Sequence, residues 1–186
     1  MENIIKIKKL YQLKNIDRAN SVKNRKESSA EHSWSCLILA DYFLSRIKQK
    51  LDRIKVYELL MYHDVVEIES DDSPLNPEKE RIGQHEKETI AMEKLSRELP
   101  DREFGKKIND FFHEFEENKT PEAKFANAID KLDAVIHDID YKKDWKGWSE
   151  AFLRKEKEWF FVEFPAIKEA FDRIMAEMTK QGYFSQ

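Results

Sequence analysis

The stretch Val56-Tyr-Glu-Leu-Leu-Met-Tyr-His-Asp-Val-Val-Glu-Ile68 is apolar on most sides, yet it carries a His63-Asp64 doublet and Glu67. A helix with so narrow a polar face belongs in a protein interior. Burying an imidazole and two carboxylates there is costly unless they are paired or hold a cation. Upstream, His32 opens a second apolar run, Ser33-Trp-Ser-Cys-Leu-Ile-Leu-Ala-Asp-Tyr-Phe-Leu44. Downstream, Asp130 lies in Phe125-Ala-Asn-Ala-Ile-Asp-Lys-Leu-Asp-Ala-Val-Ile136. One histidine, a His-Asp doublet and a distant aspartate, each on its own helix, predict an all-α fold around a divalent-metal site.

The rest of the composition agrees. A chain of 186 residues is expected to form one domain, residues 1–186, with a substantial core. With 38% charged residues, four glycines and five prolines, it offers solvated helix faces and little material for the turns of an all-β fold. Its net charge of −4 is spread over both signs, so no broad field favours a nucleic-acid polymer. Cys36 is the sole cysteine, which excludes an internal disulfide, and its apolar neighbours predict a buried thiol. Met1-Glu-Asn-Ile-Ile-Lys-Ile-Lys-Lys9 is too short and too charged for a secretory signal, and no run approaches the roughly 20 apolar residues of a membrane span. The expectation is a cytoplasmic protein with no membrane partner.

Local signals divide the chain into about seven to nine helices. A short amphipathic helix runs to about Leu13, followed by a basic and polar loop over 15–29. Ser28-Ser-Ala-Glu31 reads as a capping box that places His32 in the first turn of a helix reaching about Lys48. Asp52 caps the next helix, which is expected to carry His63, Asp64 and Glu67 together. A polar break over 69–77 ends in Asn76-Pro77, a helix-start pair for a charged helix over 78–98 anchored by Ile82, Ile90 and Leu95. Pro100-Asp101 starts a helix through Phe111, Phe112 and Phe115. Thr120-Pro121-Glu122 starts another, with Asp130 about two and a half turns in. A loop over 140–149 precedes the last helices, which run to about Thr179. No strand pair is expected. The C-terminal set Trp145, Trp148, Trp159, Phe160, Phe161 and Phe164 reads as core or as a homodimer interface rather than as a base-stacking platform.

Two imidazoles and two carboxylates form a mixed nitrogen and oxygen donor set. It suits manganese, cobalt, iron, nickel, zinc or magnesium without selecting among them. Such a set can leave coordination positions open for water and a substrate oxygen. Consecutive helical residues are about 100° apart, so His63 and Asp64 can approach one ion from neighbouring directions. Glu67, four residues after His63, would share its face and could handle a proton without ligating the ion. Asp72 lies beyond the end of that helix, where a loop residue can face a substrate. Spacing alone does not separate Asp130 from Asp133. His85, His113 and His137 have no partner motif and read as surface or packing residues.

The strings Glu27-Ser-Ser-Ala-Glu-His-Ser-Trp34, His63-Asp-Val-Val-Glu67 and Thr120-Pro-Glu-Ala-Lys-Phe-Ala-Asn-Ala-Ile-Asp-Lys-Leu132, in this order, resemble the HD-domain metal-dependent phosphohydrolases. The likeness is to the small branch that includes bacterial 5′-deoxynucleotidases, and it runs from about Leu13 to about Leu132. It implies that His32, His63, Asp64 and Asp130 hold the metal, that Glu67 does general acid/base work, and that Asp72 stands near nucleoside and water. It also implies that Arg18 grips the phosphate, although Lys23 and Arg25 lie in the same basic loop. Two positions depart from the pattern. The deoxynucleotidases have tryptophan where this chain has Ala19, and glycine where it has Asp71. The expected activity is hydrolysis of a nucleoside 5′-monophosphate to nucleoside and phosphate. The alternatives are another phosphate ester (a nucleoside triphosphate, a cyclic dinucleotide or an alarmone) and a non-catalytic helical metal-binding module. The Gly-Tyr-Pro element expected of cyclic-dinucleotide phosphodiesterases is not seen; Gly182-Tyr183 continues with Phe184.

Overall fold

The first expectation to be tested is the capping box, and it forms. In the computed structural model, which describes residues 2–77 and 82–184, the Ser28 side chain accepts the Glu31 N–H and the Glu31 carboxylate accepts the Ser28 N–H. Helix α2 (Ser29–Leu44) starts there, with His32 in its first turn. It stops at Leu44 rather than near Lys48, because the Ser45 hydroxyl and the Arg46 guanidinium take up the Tyr42 carbonyl of the last turn. Ahead of it, α1 (Glu2–Ile7) is shorter than expected, and Leu10–Asn15 forms a separate 3-10 turn.

Residues 15–29, expected to be a loop, contain a hairpin. Strands β1 (Asp17–Val22) and β2 (Arg25–Ser28) pair antiparallel, Asp17 opposite Ser28 and Val22 opposite Arg25, around a turn with Lys23 at φ +53°. The segment lacks the apolar alternation that marks a strand. Its extended form is held from outside. Asn20 donates to Asp138 at 2.8 Å, the Ser21 N–H and hydroxyl donate to Asp144 at 2.8 and 3.0 Å, and the Lys23 N–H donates to the Tyr141 hydroxyl at 3.1 Å. His137, expected to be a surface or packing residue, contacts the Ser21 carbonyl at 2.8 Å and Glu27 at 3.3 Å.

Asp52 caps α3 (Arg53–Tyr62) through the Ile54 and Lys55 N–H groups. The helix does not continue through Glu67 as expected. His63 Nδ1 reaches back to the Leu60 carbonyl at 2.8 Å, and the following N–H groups close three-residue turns, Val65 to Tyr62 and Glu67 to Asp64. Thus His63 and Asp64 occupy a turn, and Glu67 opens the short α4 (Glu67–Ser70). This turn bridges the two parts of the core. Leu59 and Leu60 pack with Cys36, Ile129 and Leu132, whereas Tyr62, Val65 and Val66 pack with Met92, Leu95, Ile108 and Phe112.

Helix α5 (Gln84–Glu98) begins after Gly83 at φ +72°. The helix start expected at Asn76-Pro77 does not appear at those two residues, which lie in a bridge and a turn, and residues 78–81 of the expected helix lie outside the described ones. Leu95 is buried, but Ile82 and Ile90 are 87% and 64% exposed, so they anchor nothing. Asp101 caps α6 (Arg102–Glu117), and Thr120 caps α7 (Pro121–His137) with Pro121 at its first position. The stretch expected as a loop at 140–149 holds a 3-10 turn, Lys142–Trp145; α8 (Glu150–Lys157), the 3-10 turn Glu158–Phe161 and α9 (Pro165–Lys180) complete the fold. Trp145, Phe161 and Phe164 are core, whereas Trp159 is 57% exposed. No helix among the described residues is long and apolar enough to cross a membrane.

Two substitutions test this packing. A Cβ on Gly105 would fall 2.3 Å from the Ser96 carbonyl oxygen, where α6 meets α5. Gly105→Ala is expected to lower the urea-unfolding free energy by about 1–3 kcal/mol, the usual cost of overpacking. Asp71, just after α4, holds φ +60° and ψ 159°, a region suited to glycine. Asp71→Gly is expected to relieve about 1–3 kcal/mol of backbone strain, read in the same unfolding curves.

Candidate metal centre

Three separate stretches converge on one point. The first turn of α2 supplies His32, the turn after α3 supplies His63 and Asp64, and the middle of α7 supplies Asp130. His32 Nε2 lies 3.0 Å from Asp130 Oδ1 and 3.9 Å from Asp64 Oδ2. His63 Nε2 lies 3.1 Å from Asp64 Oδ1, and the two imidazole rings are 5.4 Å apart. Ligand atoms of His32, His63, Asp130 and Cys36 all fall within 4.8 Å of one another, and these four side chains are buried.

Cys36 was absent from the expected set. It stands one turn after His32, and its Sγ is nearly equidistant from Nε2 (3.6 Å) and Nδ1 (3.8 Å). That places the sulfur beside the ring rather than in line with either nitrogen lone pair. Burial pushes the Cys36 thiol up to about 12, so it stays protonated and packs as a small apolar group. Asp133, the rival of Asp130, lies on the other side of His32 and accepts from Nδ1 at 2.8 Å. This bond fixes the ring orientation and leaves Nε2 facing Asp130 and Asp64, as the outer carboxylate of a metal-binding histidine does. The Leu60 carbonyl does the same for His63 Nδ1. His63 Nε2, in contrast, is buried without a hydrogen-bond partner.

A buried orphan nitrogen beside the Asp64 carboxylate, with both histidines oriented from behind, fits a divalent cation. Ligands at about 2.0–2.2 Å from one ion would need only small shifts of these side chains. The charges already lean that way. Burial works against ionisation of Asp130, but Lys131 and the two imidazoles outweigh it and hold the carboxylate well below its usual range. Burial lowers His63, keeping it neutral, which is the state a metal ligand requires.

The cluster opens on a cleft of about 640 Å³, lined by Arg18, Asp64, Glu67, Asp72 and Asp130 at this end. Arg18, on β1, places Nη1 3.1 Å from Asp64 Oδ2 and Nε 3.5 Å from Glu27. Burial opposes its charge, but Asp64, Asp130, Glu67 and Asp72 overcome this and raise the guanidinium above its ordinary value. Its rivals stand elsewhere: Arg25 pairs with Glu31 on the exposed side of the hairpin, and Lys23 is exposed at its tip. Glu67 is buried, and the Ser29 hydroxyl donates to its Oε2. Burial, followed by the neighbouring Asp64 charge, pushes the Glu67 carboxyl up to about 9. Asp72 sits half-buried at the cleft edge beyond Asp71. Ser29 could have been suspected from its three-residue spacing to His32. Lys157, buried with its ammonium on the Lys131 carbonyl at 3.1 Å, gave no such signal.

Residues 10–165 match the HD-domain family. Among curated proteins, 5′-deoxynucleotidase HDDC2 of Xenopus laevis is 30% identical over 142 residues, covering 74% of this chain and 68% of its own length. The Homo sapiens protein of the same name is 26% identical, over 70% of this chain and 64% of its own. The chain therefore spans about two thirds of the length of these relatives. Among solved structures, a predicted metal-dependent phosphohydrolase from Magnetospirillum magnetotacticum MS-1 superposes with a TM-score of 0.89 at 23% identity, covering 98% of this chain and 94% of that one. An HD-domain phosphohydrolase from Listeria innocua gives a TM-score of 0.63 at 20% identity, covering 95% and 84%. These two likenesses show a shared fold. With the sequence match across most of its length, the chain belongs to the HD-domain phosphohydrolases and is homologous to 5′-deoxynucleotidase HDDC2.

Proposed function

We propose that this protein, with residues 1–186 as one catalytic domain, hydrolyses nucleoside 5′-monophosphates to nucleoside and phosphate with the help of one divalent metal ion. The observation that carries this is the meeting of His32, His63, Asp64 and Asp130 at the head of a cleft that also presents Arg18 and Glu67. The 5′-deoxynucleotidase name of the HDDC2 relatives supports the nucleotide class. His32, His63, Asp64 and Asp130 would hold the ion, which when bound polarises a phosphoryl oxygen and lowers the pKa of water.

The other roles follow from the chain's own groups. Arg18 lines the cleft and offers guanidinium donors in a planar fork matched to phosphate oxygens, with Asp64 beside its Nη1 and Glu27 beside its Nε. Glu67 Oε2 is held by Ser29, so Oε1 is the oxygen left to take or give a proton to the substrate. Its raised pKa lets it carry that proton at neutral pH. Asp72, at the cleft edge, would manage protons together with Glu67 on the nucleoside side.

Chelator-treated protein is expected to lose phosphate release from nucleoside 5′-monophosphates and regain it with manganese or cobalt. His63→Ala or Asp64→Ala should lower kcat/KM on the order of 100-fold or more, since an ion supplies several kcal/mol to the transition state. Full metal-dependent turnover in either variant would overturn the assignment. A phosphate-release screen across nucleotide classes checks the substrate class, and preference for a triphosphate would displace the monophosphate.

Glu67 also predicts a pH effect on the metal-free protein. Unfolded glutamate loses its proton around pH 4.5, whereas folded Glu67 keeps it to about pH 9. Over that interval the folded state binds more protons, so this residue's contribution to stability falls as pH rises. Replacing it with glutamine removes that dependence. The melting temperature of Glu67→Gln minus that of wild type, in chelator, should grow from pH 5 to pH 9. A constant difference would contradict the buried, protonated carboxyl.

A further inference from the structure

The cleft continues well beyond the groups that face a phosphate. One face of α7 runs along it from Asp130 through Ala134 to the capping residue Asp138, eight residues or about 12 Å. A further wall comes from the C-terminal third, where Trp148, Trp159 and Phe160 line the same cavity. Lys157 binds the Lys131 carbonyl and so fixes the end of α8 against α7, which brings the turn Glu158–Phe161 beside the metal-proximal end of the cleft.

Two contacts give that wall its form. The Trp159 and Phe160 rings stack with centroids 3.6 Å apart and planes 30° from parallel. The Lys131 ammonium stands 5.5 Å from the Phe160 ring centre and 2.6 Å from Asp130 Oδ2. One lysine head group therefore spans the gap between the Asp130 carboxylate and the aromatic pair. On the hairpin side, Arg18 is followed by Ala19 and Asn20, which offer no aromatic surface. Trp159 remains 57% exposed although Trp145, in the same wall, is almost wholly buried. A large ring left exposed in a cleft continuous with a phosphate-facing head is suited to a planar ring of the ligand.

We propose that Trp159, backed by Phe160, is the surface on which the substrate's base stacks, so that the cleft selects phosphomonoesters with an aromatic ring over simple sugar phosphates. This rests on the phosphohydrolase function proposed above and adds the determinant of its substrate class. Stacking is tolerant of which base is present, because every base has a π face. The surface therefore distinguishes nucleotides from sugar phosphates and leaves the identity of the base open to groups at its edge.

The test compares adenosine 5′-monophosphate with ribose 5-phosphate, in wild type, Trp159→Ala and Trp159→Phe. Stacking by one aromatic is worth roughly 1–3 kcal/mol, so the alanine variant should lose about fivefold or more of the preference in kcat/KM for the nucleotide, mainly through KM. The phenylalanine variant should recover most of it. An unchanged preference in Trp159→Ala, with both esters turned over, overturns the stacking surface and leaves the phosphohydrolase function standing. If wild type turns over neither ester with manganese or cobalt, that function fails, and binding decides the surface separately. Adenosine 5′-monophosphate should then quench tryptophan fluorescence in wild type and not in Trp159→Phe. Equal quenching in both proteins would overturn the inference.

Discussion

The imidazole of His32 is fully enclosed and bonded on both nitrogens to α7, through Nδ1 to Asp133 and Nε2 to Asp130. A buried ring with both nitrogens satisfied ties two helices with a polar contact, and leaving either nitrogen unpaired there would cost more than the contact itself contributes. Burial and the Arg18 charge oppose protonation of this ring, yet the two aspartates raise its pKa well above the usual value. In the metal-free chain a proton on Nε2 thus stands where a cation would draw the same Asp130 oxygen. The helix packing that seats His32 also places the other donors, since α2, α3 and α7 share the larger part of the core.

The second constraint is charge balance. Asp64, Glu67, Asp72 and Asp130 crowd one end of a cleft, and Arg18 and Lys131 are cations set among them. The position of Arg18 depends on the hairpin, whose own sequence has little reason to be a strand. The segment just past α7 holds that hairpin through Asp138, Tyr141 and Asp144, with His137 contributing from the last turn. The helix that carries Asp130 therefore also fixes, by its far end, the strand that carries Arg18. On a free loop Arg18 would have no such fixed position.

Local signals carried much of the fold. Ser28 with Glu31, Asp52, Asp101 and Thr120 with Pro121 each cap a helix where the chain predicts one, because capping depends on neighbouring backbone groups alone. The candidate metal residues were visible for a related reason. His32, His63, Asp64 and Asp130 are costly residues inside apolar runs, and such residues need a partner that the local sequence lacks. Arg18 was harder to separate from Lys23 and Arg25, because a basic loop read as a string does not reveal which side chain turns inward.

What escaped the string depends on contacts between distant segments. The hairpin exists because α7 and the turn after it supply its side-chain partners more than a hundred residues away. The break after Tyr62 arises where the chain passes from one part of the core to the other. Asp133 and Asp130 have the same local surroundings, and only the packed helices put them on opposite nitrogens of His32. Trp159 looks in sequence like its buried neighbours, but the 3-10 turn after α8 rotates it into the cleft while Phe161 enters the core. Periodicity, caps and misplaced polar residues are legible along the chain because their physics is local; partner choice across helices is set by the geometry of packing.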